Sequence, residues 1–188
     1  MKQKKSYRLL GIDPGTNVLG YAVIEVVNRD LKPLDIGVIK MGHLKEQQLK
    51  LKKIFERIQV IIDVYQPKEM AIEAPFYGKN VQAMLKLGRA QGVAMAAGIT
   101  KGLEITEYSP KKIKQSVTGN GNASKEQVAA MLKNILDFEL TEHYLDATDA
   151  LATAVCHFYQ SGSLFGGGKR YGGWDNFIKE NPGRLASR

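Results

Sequence analysis

The sequence has a single cysteine, no long apolar run and a shortage of acidic residues. One cysteine, Cys156, in 188 residues excludes a disulfide framework and a multi-cysteine zinc site, and we expect it to be a buried structural thiol. No apolar run reaches the ~18–20 residues that a membrane helix needs. The first residues also lack the apolar core of a signal peptide. We therefore expect a cytoplasmic protein that does not associate with a membrane.

The sequence does contain enough apolar residues for a folded core, and it has an excess of positive charge. With 188 residues and 44% hydrophobic content, the chain has the size and composition of one folded domain. Its 27 Lys and Arg residues outnumber its 19 Asp and Glu residues, giving a formal net charge of +8. Because a basic surface attracts polyanions, nucleic acid is the first partner to consider.

The pattern along the chain indicates one α/β domain over residues 1–160 and a glycine-rich basic tail over 161–188, which we expect to be disordered. Within the domain, three β-branched runs separated by short turns predict an antiparallel meander. Alternating helical and strand patterns then predict a mixed sheet flanked by helices. The predicted strands are 7–12, 19–27, 34–41, 70–72 and 103–108, and the predicted helices are 45–65, 80–98, 110–117, 124–136 and 142–159.

Four acidic residues stand where a strand ends or a helix begins. Asp13 and Glu73 each follow a short apolar strand, and Asp146 and Asp149 share one face of the last predicted helix. Taken singly, each is explained as an acid at a turn or a helix start. Together they would repel one another, and a divalent cation that prefers oxygen ligands, such as Mg²⁺ or Mn²⁺, removes that repulsion. On a basic protein this set predicts metal-assisted hydrolysis of phosphodiesters.

These residues resemble the RuvC family of bacterial Holliday-junction resolvases. The motifs that match in order and spacing are Gly11-Ile-Asp13-Pro-Gly15-Thr, Ala71-Ile-Glu73, Lys86-Leu-Gly88 and Asp146-Ala-Thr-Asp149-Ala-Leu-Ala. The resemblance spans residues 8–159 and implies an RNase H-like fold with a five-stranded mixed sheet. It implies a homodimer that acts on four-way junction DNA alongside the RuvA and RuvB branch-migration proteins. It also assigns catalysis and metal binding to four acids, Asp13, Glu73, Asp146 and Asp149. The expected cofactor is Mg²⁺, one or two ions per subunit, with Mn²⁺ as a substitute.

An aromatic residue and several lysines are further candidates for contact with DNA. The candidates are Phe76, Lys79, Lys111, Lys114 and Lys125. The resemblance assigns a junction-probing role to Phe76 and functional roles to Lys114 and Lys125. An exposed aromatic in the loop after the second acid can stack on unpaired bases, and a core position under that loop is the ordinary alternative. Lys111, Lys114 and Lys125 flank a glycine loop, 118–122, which is either a phosphate cradle or an ordinary turn.

Small residues dominate the predicted helix 80–98 and allow two arrangements. The helix either packs against its own copy across a two-fold axis or packs closely on its own sheet. The resemblance favours the dimer, and a two-fold enzyme carries two sites for two symmetry-related strands.

The leading hypothesis is a Holliday junction resolvase that makes paired symmetric nicks and leaves 5′-phosphate and 3′-hydroxyl ends. An actin-like phosphotransferase is an alternative, because Asp13-Pro-Gly15-Thr16 also resembles the phosphate loop of sugar kinases. The two lobes of that fold need a longer chain. The complete set of acids disfavours a junction-binding module without activity, and the extent of the resemblance disfavours an RNase H-like nuclease for RNA precursors.

Overall fold

The computed structural model describes residues 6–75, 80–138 and 147–165. Its strands are β1 (Ser6–Asp13), β2 (Val18–Val27), β3 (Asp30–Lys40), β4 (Glu69–Glu73) and β5 (Glu104–Tyr108). Its helices are α1 (Gln47–Tyr65), α2 (Val81–Thr100), α3 (Pro110–Thr118), α4 (Lys125–Leu136) and α5 (Thr148–Phe165). None of the helices in these ranges has the length and apolar character required to cross a membrane.

The end of α5 differs from the predicted domain boundary. This helix continues to Phe165, five residues beyond position 160. Residues 166–188, the remainder of the predicted tail, lie outside the described residues.

The five strands form one sheet in the order β3-β2-β1-β4-β5. The first three strands are antiparallel, and β1, β4 and β5 are parallel, which confirms the predicted mixed sheet. Ile12 of β1 is aligned with Ile72 of β4. Because neighbouring parallel strands end at the same edge of a sheet, Asp13 and Glu73 lie side by side at that edge.

The third strand starts four residues earlier than predicted. Asn28 and Arg29 form a two-residue turn with φ values of 53° and 80°, and two positive φ values are typical of the tight hairpin turn that matches strand twist. The predicted strand began at Leu34 and so left out Pro33, which lacks the N–H that a strand ladder needs. The structure accommodates Pro33 because β3 is an edge strand, close to a register shift between Val23 and Ile24.

Helices cover both faces of the sheet, and alternate residues of each strand face opposite helices. Leu9 packs with the layer formed by α3, α4 and α5, whereas Leu10 packs with the layer formed by α1 and α2. Because side chains along a strand alternate, Asp13 shares the face of Leu9. On β4, Ile72 faces α1 and α2, so Glu73 faces the other layer. Both strand-end acids therefore face the side that α5 covers.

Small residues allow α5 to approach β1 closely. A Cβ atom at Gly11 would overlap the carbonyl oxygen of Ala150 and crowd the Cβ of Ala154. This close approach brings Asp149, in the first turn of α5, toward the ends of β1 and β4. The contact between Gly11 and Ala150 thus determines how near the acid of the helix comes to the acids of the strands.

We expect Gly11→Ala to lower the free energy of unfolding by about 1–3 kcal/mol, because the added methyl group has to push α5 away from the sheet. Equilibrium denaturation in urea measures this change. The matched control is Gly42→Ala, where an added Cβ meets nothing within 4 Å. Equal stability of the two variants would contradict a close contact between β1 and α5.

Candidate active site

Three acids and two lysines from different elements meet in one cleft of about 340 Å³ at the edge of the sheet. The strands β1 and β4 supply two acids, α5 supplies the third, and α3 and α4 supply the lysines. The charged lining residues are Asp13, Glu73, Asp149, Lys114 and Lys125, and the apolar ones are Pro110, Ile113, Val128 and Ala152. The structure therefore brings together five of the nine site residues predicted from the sequence.

Of the other four predicted site residues, one is described but does not line the cleft, and three lie outside the described residues. Phe76, Lys79 and Asp146 lie outside the described residues, so their roles remain predictions. Lys111 is exposed on the first turn of α3, and its side-chain stem lies beside Gly121, where an added Cβ would be 2.8 Å from the lysine Cγ. We therefore treat Lys111 as part of the rim of this region.

Burial and mutual repulsion perturb two of the carboxyl groups. Burial, followed by the charge of Asp149, raises the pKa of Asp13 to about 6. Burial, followed by the charges of Asp13 and Asp149, raises the pKa of Glu73 to about 7. Lys125 lowers both pKa values and Lys114 lowers that of Glu73, but neither lysine outweighs the burial. Additional positive charge is therefore needed for both groups to be fully ionised at neutral pH.

Lys125 supplies compensating charge inside the cleft. Its Nζ lies 2.6 Å from Oδ2 of Asp149, and this hydrogen bond raises the pKa of the lysine. Lys125 is the first residue of α4, whose start is held by a capping box in which Ser124 and Gln127 exchange side-chain-to-backbone hydrogen bonds. A local helix cap thus determines where this lysine meets the acid.

A buried hydrogen-bond network near the other end of β4 was not predicted from the sequence. His157 of α5 has Nε2 at 2.7 Å from Oε2 of Glu69 and Nδ1 at 2.9 Å from the hydroxyl of Tyr108. A neutral imidazole satisfies both partners if Nε2–H donates to the carboxylate and the tyrosine hydroxyl donates to Nδ1. The network links the helix that carries Asp149 to the strand that carries Glu73. No sequence pattern signals it, since Glu69 and His157 are 88 residues apart.

A second polar contact also connects to the end of β4. The buried side chain of Gln91, on α2, donates a 2.7 Å hydrogen bond to the carboxylate of Glu107. The same amide nitrogen lies 3.5 Å from the carbonyl oxygen of Glu73. The backbone at the second acid is therefore supported from the face opposite to the cleft.

The donor set of the cleft suits a hard divalent cation. The acids that line the cleft offer carboxylate oxygens, which are the ligands that Mg²⁺ and Mn²⁺ prefer. The raised pKa values of Asp13 and Glu73 show a deficit of positive charge that a cation would remove. Within the described ranges, no group of three or more His, Cys, Asp and Glu side chains is arranged to hold a metal ion. The fourth predicted ligand, Asp146, lies outside those ranges.

Comparison with known proteins identifies the family. The family model described as crossover junction endodeoxyribonuclease RuvC matches residues 9–157. The chain belongs to the RuvC family. The crossover junction endodeoxyribonuclease RuvC of Cytophaga hutchinsonii is 59% identical to this RuvC-family chain over 177 residues, which cover 94% of this chain and 87% of that relative.

Solved structures confirm the RNase H-like fold of this RuvC-family chain. T. thermophilus RuvC in complex with Holliday junction substrate has a TM-score of 0.76 and 28% identity, covering 84% of this chain and 96% of that one. The yeast mitochondrial Holliday junction resolvase Ydc2 has a TM-score of 0.66 at 14% identity, covering 93% of this chain and 84% of that one, and shares the fold. The observed strand order fits the mixed sheet expected from the resemblance.

We expect the stability of the metal-free protein to fall as the pH rises from about 4 to 7. Because Asp13 and Glu73 have raised pKa values in the folded state, that state binds more protons than the unfolded chain in this range. Each group then contributes a loss of the order of 2 kcal/mol. Asp13→Asn removes one carboxyl and lowers the pKa of the other, so its stability should depend less on pH.

Urea denaturation in the presence of a chelator, at several pH values, measures this dependence. The matched control is Asp30→Asn, which removes an exposed acid at the start of β3. An Asp13→Asn variant with the same pH dependence as Asp30→Asn would contradict the perturbed carboxyl groups.

Proposed function

We propose that this chain resolves Holliday junctions by hydrolysing one phosphodiester per subunit, which leaves 5′-phosphate and 3′-hydroxyl ends. The observation that carries the proposal is the meeting of Asp13, Glu73 and Asp149 with two lysines in one cleft of a RuvC-family chain. The relative from T. thermophilus was solved in complex with Holliday junction substrate, which supports four-way DNA as the substrate.

The acids and the lysines have different roles in the proposed reaction. Asp13, Glu73 and Asp149, with Asp146 as the fourth ligand, would hold one or two Mg²⁺ ions, for which Mn²⁺ can substitute. The chemistry that such an ion would supply there is activation of a water molecule and stabilisation of the leaving 3′ oxygen. Lys114 and Lys125, which line the same cleft, would attract the non-bridging oxygens of the scissile phosphate. Lys125, whose side chain is 77% exposed, can exchange its contact with Asp149 for one with the phosphate.

The remaining sequence-based candidates act around this centre in the proposed function. Phe76 would stack on an unpaired base at the branch point, and Lys79 and Lys111 would contact the backbone nearby. We further propose that the enzyme acts in the cytoplasm and that RuvA and RuvB deliver the junction to it.

We also propose a homodimer in which α2 contributes the contact. The exposed face of this helix carries Val81 and Leu85, which are 65% and 51% exposed and line a shallow apolar groove with Met84 and Gly88. Buried small residues on the opposite face pack in the core of the same chain; they are Ala90, Ala94 and Ala97. The two arrangements considered for this helix therefore belong to two different faces. A two-fold axis at the exposed face would provide two sites for two symmetry-related cuts.

We expect Asp13→Asn, Glu73→Gln and Asp149→Asn each to slow junction cleavage by at least about 100-fold, because each removes a charged ligand from the metal set. Binding of the junction should be retained, since the lysines remain. The assay is incubation of a synthetic immobile four-way junction with and without Mg²⁺, in which paired symmetric nicks should require the metal.

The control for this series is Asp30→Asn, which should cleave at the rate of the unchanged protein. A fully active variant of any of the three acids would refute the proposed mechanism. Cleavage of structured RNA in preference to four-way DNA would favour the RNA-processing alternative.

We expect Leu85→Glu to convert the dimer to a monomer, because a carboxylate would be placed in the apolar groove of both subunits. Analytical ultracentrifugation measures the mass, and the junction assay should show single nicks in place of paired ones. The control is Val64→Glu, which places the same charge at a 63% exposed position on α1. A dimeric Leu85→Glu variant would exclude this face as the subunit contact.

A further inference from the structure

Four lysines lie near the active-site edge of the sheet, at the end of β3, in the segment that follows it and on α1. We call Lys40, Lys45, Lys50 and Lys53 the lysine cluster. Lys50 Nζ donates a 2.7 Å hydrogen bond to the side-chain oxygen of Asn17, in the turn between β1 and β2. Lys53 Nζ donates a 2.9 Å hydrogen bond to the carbonyl oxygen of Lys40, the last residue of β3. These contacts hold two ammonium groups at the sheet edge where the acids lie.

The lysine cluster carries positive charge that the described part of the chain does not neutralise. None of the ion pairs between described residues involves its members, whereas the adjacent Lys52 pairs with Glu56 at 3.7 Å. The one acid in the segment 40–53 is Glu46, whose carboxylate accepts a hydrogen bond from Gln48. The cluster also surrounds the start of α1, where positive charge opposes the helix dipole. The positive charge of the cluster is therefore available to an anionic partner.

The position of the lysine cluster relative to the acids follows from the strand register. Asp13 is aligned with Gly20, and Gly20 with Val38, so Lys40 lies two strands away and two residues farther along. With ~4.8 Å between strands and ~3.3 Å per residue, the Cα atoms of Asp13 and Lys40 are about 12 Å apart. Measured along the axis of B-DNA, where the rise is ~3.4 Å per base pair, this distance corresponds to about three to four base-pair steps.

The two groups of lysines lie on opposite sides of the acids. Lys114 and Lys125 come from α3 and α4, in the helical layer that covers one face of the sheet. Lys45 precedes α1 and Lys50 and Lys53 belong to it, in the layer on the other face, whereas Lys40, two residues after Val38, ends β3 on the face of the acids. The carboxylates at the sheet edge are therefore bordered by positive charge in both directions.

We propose that the lysine cluster binds the phosphate backbone of the junction arm that leaves the cleft on the α1 side, three to four nucleotides from the cut. This proposal rests on the proposed function, since it concerns the same DNA. A phosphate chain matches the cluster because it presents one negative charge per nucleotide at regular spacing. Its phosphates would supply the negative charge that no acid of the described chain supplies to these lysines. A second backbone contact on this side would fix the direction of the strand across the acids.

The salt dependence of junction binding tests the proposal. Each lysine that contacts a phosphate contributes about 0.9 to the slope of log Kd against log salt concentration. The triple variant Lys40→Gln, Lys50→Gln, Lys53→Gln should therefore lower this slope by about 2–3 units, measured by fluorescence anisotropy with a labelled junction in Ca²⁺.

The matched control removes the same charge from the opposite edge of the sheet. It is the triple variant Lys32→Gln, Lys68→Gln, Lys101→Gln, whose positions lie near the starts of β3, β4 and β5. Its salt slope should stay within about 1 unit of that of the unchanged protein. Equal slopes for the two triple variants would overturn the proposal.

A second measurement uses the unchanged protein and does not depend on the folding of a variant. Single methylphosphonate substitutions remove the charge of one phosphate at a time along the arm. Those about three to four nucleotides from the cut should weaken binding several-fold. In the triple variant Lys40→Gln, Lys50→Gln, Lys53→Gln, the same methylphosphonate substitutions should weaken binding little further.

The outcomes separate this proposal from the function on which it rests. No methylphosphonate effect in that region, with normal cleavage by the unchanged protein, would overturn the role of the lysine cluster alone. No cleavage of the junction by the unchanged protein in Mg²⁺ would overturn the proposed function itself.

Discussion

Repulsion between the carboxylates of Asp13, Glu73 and Asp149 is the interaction on which the arrangement of this protein depends. Two of the three belong to neighbouring parallel strands that end at the same edge, and the third begins the helix packed over that edge. Their partial burial removes much of the solvation that would otherwise screen them, so the pKa values of Asp13 and Glu73 rise. A fold that holds these groups together in the absence of a cation has to provide the necessary free energy elsewhere.

The packing behind the cleft provides that support. Gly11 allows α5 to lie against β1, and apolar layers fill both faces of the sheet. Buried polar groups are also hydrogen-bonded, as in the network of His157, Glu69 and Tyr108, and among the described residues no buried side-chain nitrogen or oxygen lacks a partner. Because an unsatisfied buried polar group is costly, this part of the molecule is stable in one arrangement. Unfavourable electrostatics are confined to the cleft, where a ligand can relieve them.

The sequence allowed the mixed sheet and the meeting of three acids to be predicted, because both depend on local patterns. Apolar periodicity marks the strands and helices, and an acid at the end of a strand has a position determined by the topology. The contacts that were missed depend on pairs that are distant in sequence: His157 and Glu69 meet only because α5 crosses β4. The early start of β3 was missed for a different reason, since Asn28 and Arg29 adopt a turn that composition alone does not reveal.

Two classes of lysine can be distinguished by their distance from the acids. Lys125 is in direct contact with Asp149, at 2.6 Å, so its charge acts on the carboxylates themselves. Lys40, whose Cα is about 12 Å from that of Asp13, is not among the charges that shift the pKa of Asp13 or of Glu73. Charge at that distance attracts a polyanion while hardly changing the ionisation of the cleft. The net charge of +8 thus combines separable contributions, one that tunes the acids and one that is available to draw DNA toward them.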